Sequence, residues 1–89
     1  MKYQIVVERP AEKFISRLPR PEKERVLRAI ARLPDAGDIK RMQGSTDLYR
    51  LRVGEYRILY HVDHGRLIVC VIDAGNRGEI YKKHESKRS

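Results

Sequence analysis

The chain has 89 residues, enough for one domain with a modest core. Twenty lysines and arginines against 12 acids leave a formal charge of +8, which favours a polyanionic partner such as nucleic acid, an acidic protein or an anionic membrane surface. No apolar run reaches about 18 residues and the single cysteine, Cys70, has no internal partner, so membrane-spanning and disulfide-scaffold classes fall away and a reducing cytoplasm is expected.

The opening "MKYQIVVERP" meets charge at Glu8-Arg9, too soon for a signal peptide. Within it, Tyr3 to Val7 reads as a short strand, and Pro10 suits the first turn of a helix. Ala11, Phe14, Ile15 and Leu18 recur at i, i+3, i+4 and i+7, which predicts an amphipathic helix ended by Pro19 and Pro21. Pro21 opens a second helix, with Glu22 and Glu24 early, where they suit the helix dipole. Val26, Leu27, Ile30 and Leu33 form its apolar side until Pro34 to Asp38 stops it, so the pair should form a hairpin with one apolar seam. Ile39 to Asp47 reads as an irregular connection that has room for a short extended piece at "IKRM".

From there the period falls to 2. Leu48 to Val53, Tyr56 to Asp63 and Arg66 to Ala74 read as antiparallel strands joined by tight turns at Gly54-Glu55 and His64-Gly65. Residues 1–82 are expected to form the domain, and the basic tail 83–89 to lack fixed structure. The predicted architecture is α+β: an N-terminal strand and a helical hairpin packed on one face of a mainly antiparallel β-sheet.

A two-residue loop sets the first hairpin's register. Val53 faces Tyr56, Arg52 faces Arg57, Leu51 faces Ile58, Arg50 faces Leu59 and Tyr49 faces Tyr60. Tyr49, Leu51, Val53, Tyr56, Ile58 and Tyr60 then share the face that the helices cover. Arg50, Arg52 and Arg57 share the other, with no acid between them in the hairpin. Like charges opposite one another cost a few tenths to about 1 kcal/mol, so the cluster is not there for the fold. It reads as an anion site, since guanidinium forks match phosphate oxygens; the alternative is three arginines lying over the sheet with solvated tips.

Leu59, Ile68, Cys70 and Ile72 continue that face as an apolar strip with no evident cover, expected to dock another chain. His61 shares the face and is a minor candidate for proton transfer, beside the plainer role of a neutral strand histidine. His61, His64 and His84 show no metal-ligand spacing. Cys70, between Val69 and Val71, has nothing to activate its thiol.

The hairpin "LYRLRVGEYRILY", the turn "DHGRL" and the closing "GNRGEIY", after a strand and two helices, strongly resemble the RelE/ParE superfamily of bacterial and archaeal toxins. The resemblance covers most of the chain. It implies a toxin of a type II toxin–antitoxin system: in the RelE branch, a ribosome-dependent, metal-independent endoribonuclease that cuts mRNA in the A site. It further implies no cofactor, a RelB-like antitoxin partner, and a toxin monomeric when alone and oligomeric only with its antitoxin. RelE-branch members use basic residues on the second strand, arginines on the third and after the fourth, and a nearby C-terminal tyrosine. Those positions hold Arg50, Arg52, Arg57, Arg77 and Tyr81 here. Two departures stand out: arginine replaces the usual lysine pair at 50 and 52, and the segment from Arg77 to Tyr81 is short. The ParE branch shares the hairpin pattern and inhibits DNA gyrase without cutting RNA, and a degenerate toxin fold that only binds is a third reading.

Metal-free RNA cleavage needs a base for the 2′-hydroxyl, a clamp for the crowded phosphorus and a proton for the leaving oxygen. Neutralising an arginine at pH 7 costs about 7 kcal/mol or more, whereas ionising a tyrosine costs roughly 4, less beside guanidinium groups. Tyr81 is therefore the expected base, with Arg50, Arg52 and Arg57 on the phosphate and Arg77 at the leaving oxygen. Arg25, Arg28 and Arg32 recur along the second helix, with Lys13, Arg17, Arg20 and Lys23 nearby. They read as ribosomal RNA contacts, or else as a solvated face laced by Glu22–Arg25 and Glu24–Arg28 pairs.

Overall fold

The computed structural model describes residues 3–35, 37–42 and 48–76. Seven elements follow in order: β1 Gln4–Val7, α1 Arg9–Ser16, α2 Arg20–Ile30, β2 Asp38–Arg41, β3 Leu48–Val53, β4 Tyr56–Asp63 and β5 Ile68–Asn76. Proline stands in the first turn of each helix, where its missing N–H leaves no bond unmade, and Glu12 and Glu22 face the positive ends.

The five strands form one sheet in the order β1-β5-β4-β3-β2. β1 runs parallel to β5, as its connection through two helices allows, and the other pairings are antiparallel. Both helices lie on one face. Ala11 and Ile15 from α1, Val26 and Ile30 from α2, and Leu33 meet Leu51, Val53, Ile58, Tyr60, Val69, Val71 and Ala74 from the sheet. Tyr49 stacks on Tyr60 across β3 and β4 with centroids 5.5 Å apart, while Phe14 of α1 meets Tyr56 edge-on at 5.8 Å. Burial, with Tyr49 beside it, pushes the Tyr60 hydroxyl up to about 12, so this tyrosine is neutral at physiological pH.

The β3–β4 register is the expected one at every pair, because the loop is two residues long. Gly54 takes φ 60 there, a left-handed conformation that suits glycine at the first position of a tight hairpin turn. The short extended piece expected at "IKRM" is present as β2, which begins one residue earlier at Asp38 and pairs with β3 over four residues. Three expectations need correction. The β4–β5 loop spans 64–67, with Leu67 at φ 59, so β5 begins at Ile68. Leu27 is 46% exposed and lies outside the apolar seam, which Val26, Ile30 and Leu33 already fill. On α2, Glu24 pairs with Arg20 and Glu22 accepts the Tyr56 hydroxyl; Arg25 reaches over Gly54.

Candidate functional site

The face away from the helices is built in rows across the strands. One row runs Asp38, Arg52, Arg57 and Gly75 from β2 to β5; the next runs Lys40, Arg50, Leu59 and Asp73. A third takes Leu48, His61, Cys70 and Val6 from β3 to β1. The rows bring Arg50, Arg52 and Arg57 together as expected and add a fourth cation, Lys40.

They also add acids that hairpin reasoning did not see. The expectation of an arginine cluster without a neutralising acid fails at Asp38. Its carboxylate accepts from Arg52 Nε at 2.8 Å and from Arg50 Nη2 at 3.4 Å. Gly37, at φ 126, turns the chain into β2 where a Cβ would fall 2.7 Å from the Leu51 side chain, which is how Asp38 comes to sit beside Arg52. Asp73 arrives by a different route. A register shift leaves Ile72 as an extra residue, with Leu59 opposite Asp73 and Tyr60 opposite Val71. Strict alternation would send Asp73 into the apolar core, at a cost of several kcal/mol for a buried carboxylate. The bulge turns it onto the arginine face and puts Ala74 in the core instead.

The guanidinium groups differ in what holds them. Arg57 is 7% exposed, and its Nη1 donates to the carbonyls of Gly54 at 3.3 Å and Tyr56 at 3.2 Å. Gly75 opposite it presents no side chain. The Arg50 side chain is 12% exposed, whereas Arg52 is half exposed. The Nε atoms of Arg50 and Arg57 are buried without a hydrogen-bond partner. Each such donor costs about 1–3 kcal/mol unless something accepts from it. Four cations against two carboxylates, two of the cations with an unused donor, make a site that favours a further anion.

Among the described residues, one cavity adjoins this face and another lies on the helical side. One of about 430 Å³ is lined by His61, Val62, Asp63, His64, Ile68 and Cys70. The other, of about 360 Å³, lies at the hairpin turn between Glu22, Arg25, Gly54, Glu55 and Tyr56. The hydrogen bond to Glu22 raises the pKa of Tyr56 there, with burial adding to it. Neither of these two cavities is lined by Arg50, Arg52 or Arg57; on this face Arg52 and Lys40 are exposed, while Arg50 and Arg57 are largely covered. Among the described residues, no group of three or more His, Cys, Asp and Glu side chains could hold a metal ion.

The apolar strip is shorter than expected. Leu59, between Arg50 and Asp73 in its row, is fully buried and cannot dock anything. Ile68, Cys70 and Ile72 remain half-buried, with Val6 of the edge strand 40% exposed beside Cys70. Burial and a 3.1 Å hydrogen bond to Glu8 push the Cys70 thiol up to about 11 from 9.0. The folded chain thus holds this proton more tightly than the unfolded chain, a contribution complete below pH 9 and lost as pH rises through about 11. Iodoacetamide should alkylate native Cys70 at pH 8 roughly 100-fold more slowly than an ordinary cysteine. The rate plotted against pH should inflect near 11; an inflection near 9 would contradict the packing of Cys70 against Glu8.

Lys13, Arg17, Arg20, Arg25, Arg28 and Arg32 are exposed and Lys23 is partly so, all on the helical side of the sheet. They form a basic surface separate from the arginine face. Arg77, Tyr81 and the tail 83–89 lie outside the described residues. Lys40, Asp38 and Asp73 are the site residues that sequence reasoning missed. The one available signal was the alternation of Asp38 and Lys40 within "DIKR". Among the described residues, no helix is long and apolar enough to cross a membrane.

Residues 5–81 match the family described as ParE toxin of type II toxin-antitoxin system, parDE. None of the curated proteins matches significantly. Among solved structures, the chain is similar to RelE in the archaeal RelE–RelB complex from Pyrococcus horikoshii, with 25% identity over 89% of this chain and 99% of that one and a TM-score of 0.73. It is similar in fold to a mutant of the E. coli toxin RelE in the free state, with 21% identity over 100% of both chains and a TM-score of 0.74. A chain of the RelB–RelE complex from Methanococcus jannaschii also shares the fold, with 24% identity over 89% of this chain and 98% of that one and a TM-score of 0.71.

Proposed function

Because the chain belongs to the ParE toxin family of type II toxin–antitoxin systems, within the RelE/ParE superfamily, we propose that it is a toxin whose arginine face grips the backbone of messenger RNA on the ribosome and promotes its cleavage. The observation that carries this reading is the pair of buried, unpartnered Nε donors on Arg50 and Arg57, on adjacent strands beside exposed Arg52. A phosphate against this cluster offsets the charge of the guanidinium groups and relieves the repulsion between Arg52 and Arg57, which face one another across the hairpin.

In the proposed reaction, the ribose 2′-oxygen forms a bond to the adjacent phosphorus as the bond from phosphorus to the 5′-oxygen breaks. The products are a 2′,3′-cyclic phosphate and a free 5′-hydroxyl. Arg50, Arg52 and Arg57 stabilise the charge that builds on the non-bridging oxygens. Lys40, opposite Arg50, adds to that field. Tyr81 takes the 2′-proton and Arg77 supports the leaving oxygen, which leaves with a proton from solvent or from a neighbouring donor. The ribosome supplies the in-line geometry that the chain alone does not enforce, and the arginines of α2 contact ribosomal RNA. A RelB-like antitoxin silences the toxin by covering Val6, Ile68, Cys70 and Ile72 beside the arginines. The similarity to RelE in the Pyrococcus horikoshii RelE–RelB complex supports such a partner.

A second reading is favoured by the family description itself, which names ParE: inhibition of DNA gyrase without cleavage. Two assays on the purified chain separate them. The first reading expects cell-free translation to stop with the message cut, and gyrase supercoiling to be untouched at the same concentration. Blocked supercoiling with translation intact would replace it with the second.

A further inference from the structure

We propose that Asp38 is a built-in anion standing where RNA phosphate binds, and that it must swing away for the arginine face to load. This rests on the RNA-cleaving reading above and concerns how the same site is kept selective. The two carboxylate oxygens of Asp38 divide between two guanidinium groups, Oδ2 to Arg52 Nε at 2.8 Å and Oδ1 to Arg50 Nη2 at 3.4 Å. Two non-bridging phosphate oxygens would engage the same pair in the same way.

The contact is made to be broken. Asp38 is half exposed and begins an edge strand, so its side chain can rotate outward while the backbone pairing of β2 with β3 persists. Ion pairs exposed to this degree stabilise a fold weakly and give way to a better partner. Arg57 receives nothing from Asp38, and its Nε keeps an unused donor. The face is therefore half closed at rest: Lys40 is exposed, while Arg50 and Arg52 are shared with Asp38. A lone anion has to displace the carboxylate with a single contact. A chain of phosphates can dock one group on exposed Lys40 and bring the next against Arg52 at high effective concentration. Asp38 thus disfavours free anions relative to an ordered polynucleotide.

The test compares the full-length wild type with Asp38→Asn and with Asp38→Thr, the second chosen because threonine suits a strand. Each is titrated with a short single-stranded RNA, made uncleavable by 2′-O-methylation, between about 50 and 200 mM salt. Both variants should bind about fivefold more tightly than wild type at the low end. Their dependence of log affinity on log salt should be steeper by about 0.7 for each arginine released, since phosphate then displaces counterions without a compensating carboxylate. A purely structural role for Asp38 would not steepen that slope. Variants that bind no more tightly than wild type, with its slope, would overturn the role of Asp38 and leave the arginine face as the RNA site. No RNA binding by any of the three proteins, each shown folded by its thermal transition, would overturn the RNA reading and this inference with it.

Discussion

Arg57→Ala is expected to lower ribosome-dependent cleavage about 10²- to 10³-fold while the protein stays folded, the usual loss when one prearranged donor to a developing charge is removed. Arg57 is the most buried of the three arginines, and the carbonyls of Gly54 and Tyr56 hold its Nη1. Arg57→Lys should recover only a small part of the loss, because an ammonium keeps the charge but not the planar fork. Stability should change by no more than about 1 kcal/mol, since the lost contacts are offset by relief of the repulsion with Arg52. Single-turnover cleavage on programmed ribosomes, read beside urea denaturation, checks both halves. Full activity in Arg57→Ala would remove this residue from the site.

Leu51→Ala should destabilise the fold by about 3 kcal/mol without touching an arginine. Leu51 is fully buried between Ile39 of β2 and Ile58 of β4, and it lies against the backbone of Gly37. A chain of this length has about 5–13 kcal/mol in total, so the substitution takes a large share of it. It also sits between Arg50 and Arg52, and the cavity it leaves should loosen the β2–β3 pairing that holds Asp38 in place. Denaturant midpoints give the measure. A shift below about 1 kcal/mol would mean that the sheet's centre is packed more loosely than this structure has it.

How much could be read beforehand depends on which physical signal each residue leaves in the chain. The hairpin was legible to the residue pair, because a two-residue turn with Gly54 at its corner allows one register and alternation then assigns every face. Val26, Ile30 and Leu33 were legible from helical spacing, but Leu27 was not: spacing marks a stripe and says little about where its edge meets solvent. Asp38 was hidden because "DIKR" is too short and polar for a strand period to show, so the acid read only as part of a helix stop. Asp73 was hidden because a bulge adds one residue with no signature in sequence, and from that point alternation names the wrong face. Leu59 was placed on the correct face yet misread as exposed, since alternation assigns a face and says nothing about how far that face is covered. The charge of the site was therefore overstated by sequence and corrected by topology, while the three arginines did converge where alternation put them.

If this toxin acts through phosphate chemistry on the arginine face, primer extension on a defined message will show it. The purified chain is assayed with and without programmed ribosomes, with Arg52→Ala and Arg77→Ala beside wild type. Cuts within the A-site codon are expected that require ribosomes, weaken strongly in Arg52→Ala and vanish in Arg77→Ala. An uncut message at concentrations of wild-type protein that arrest growth would overturn the cleavage reading and make gyrase the target to examine.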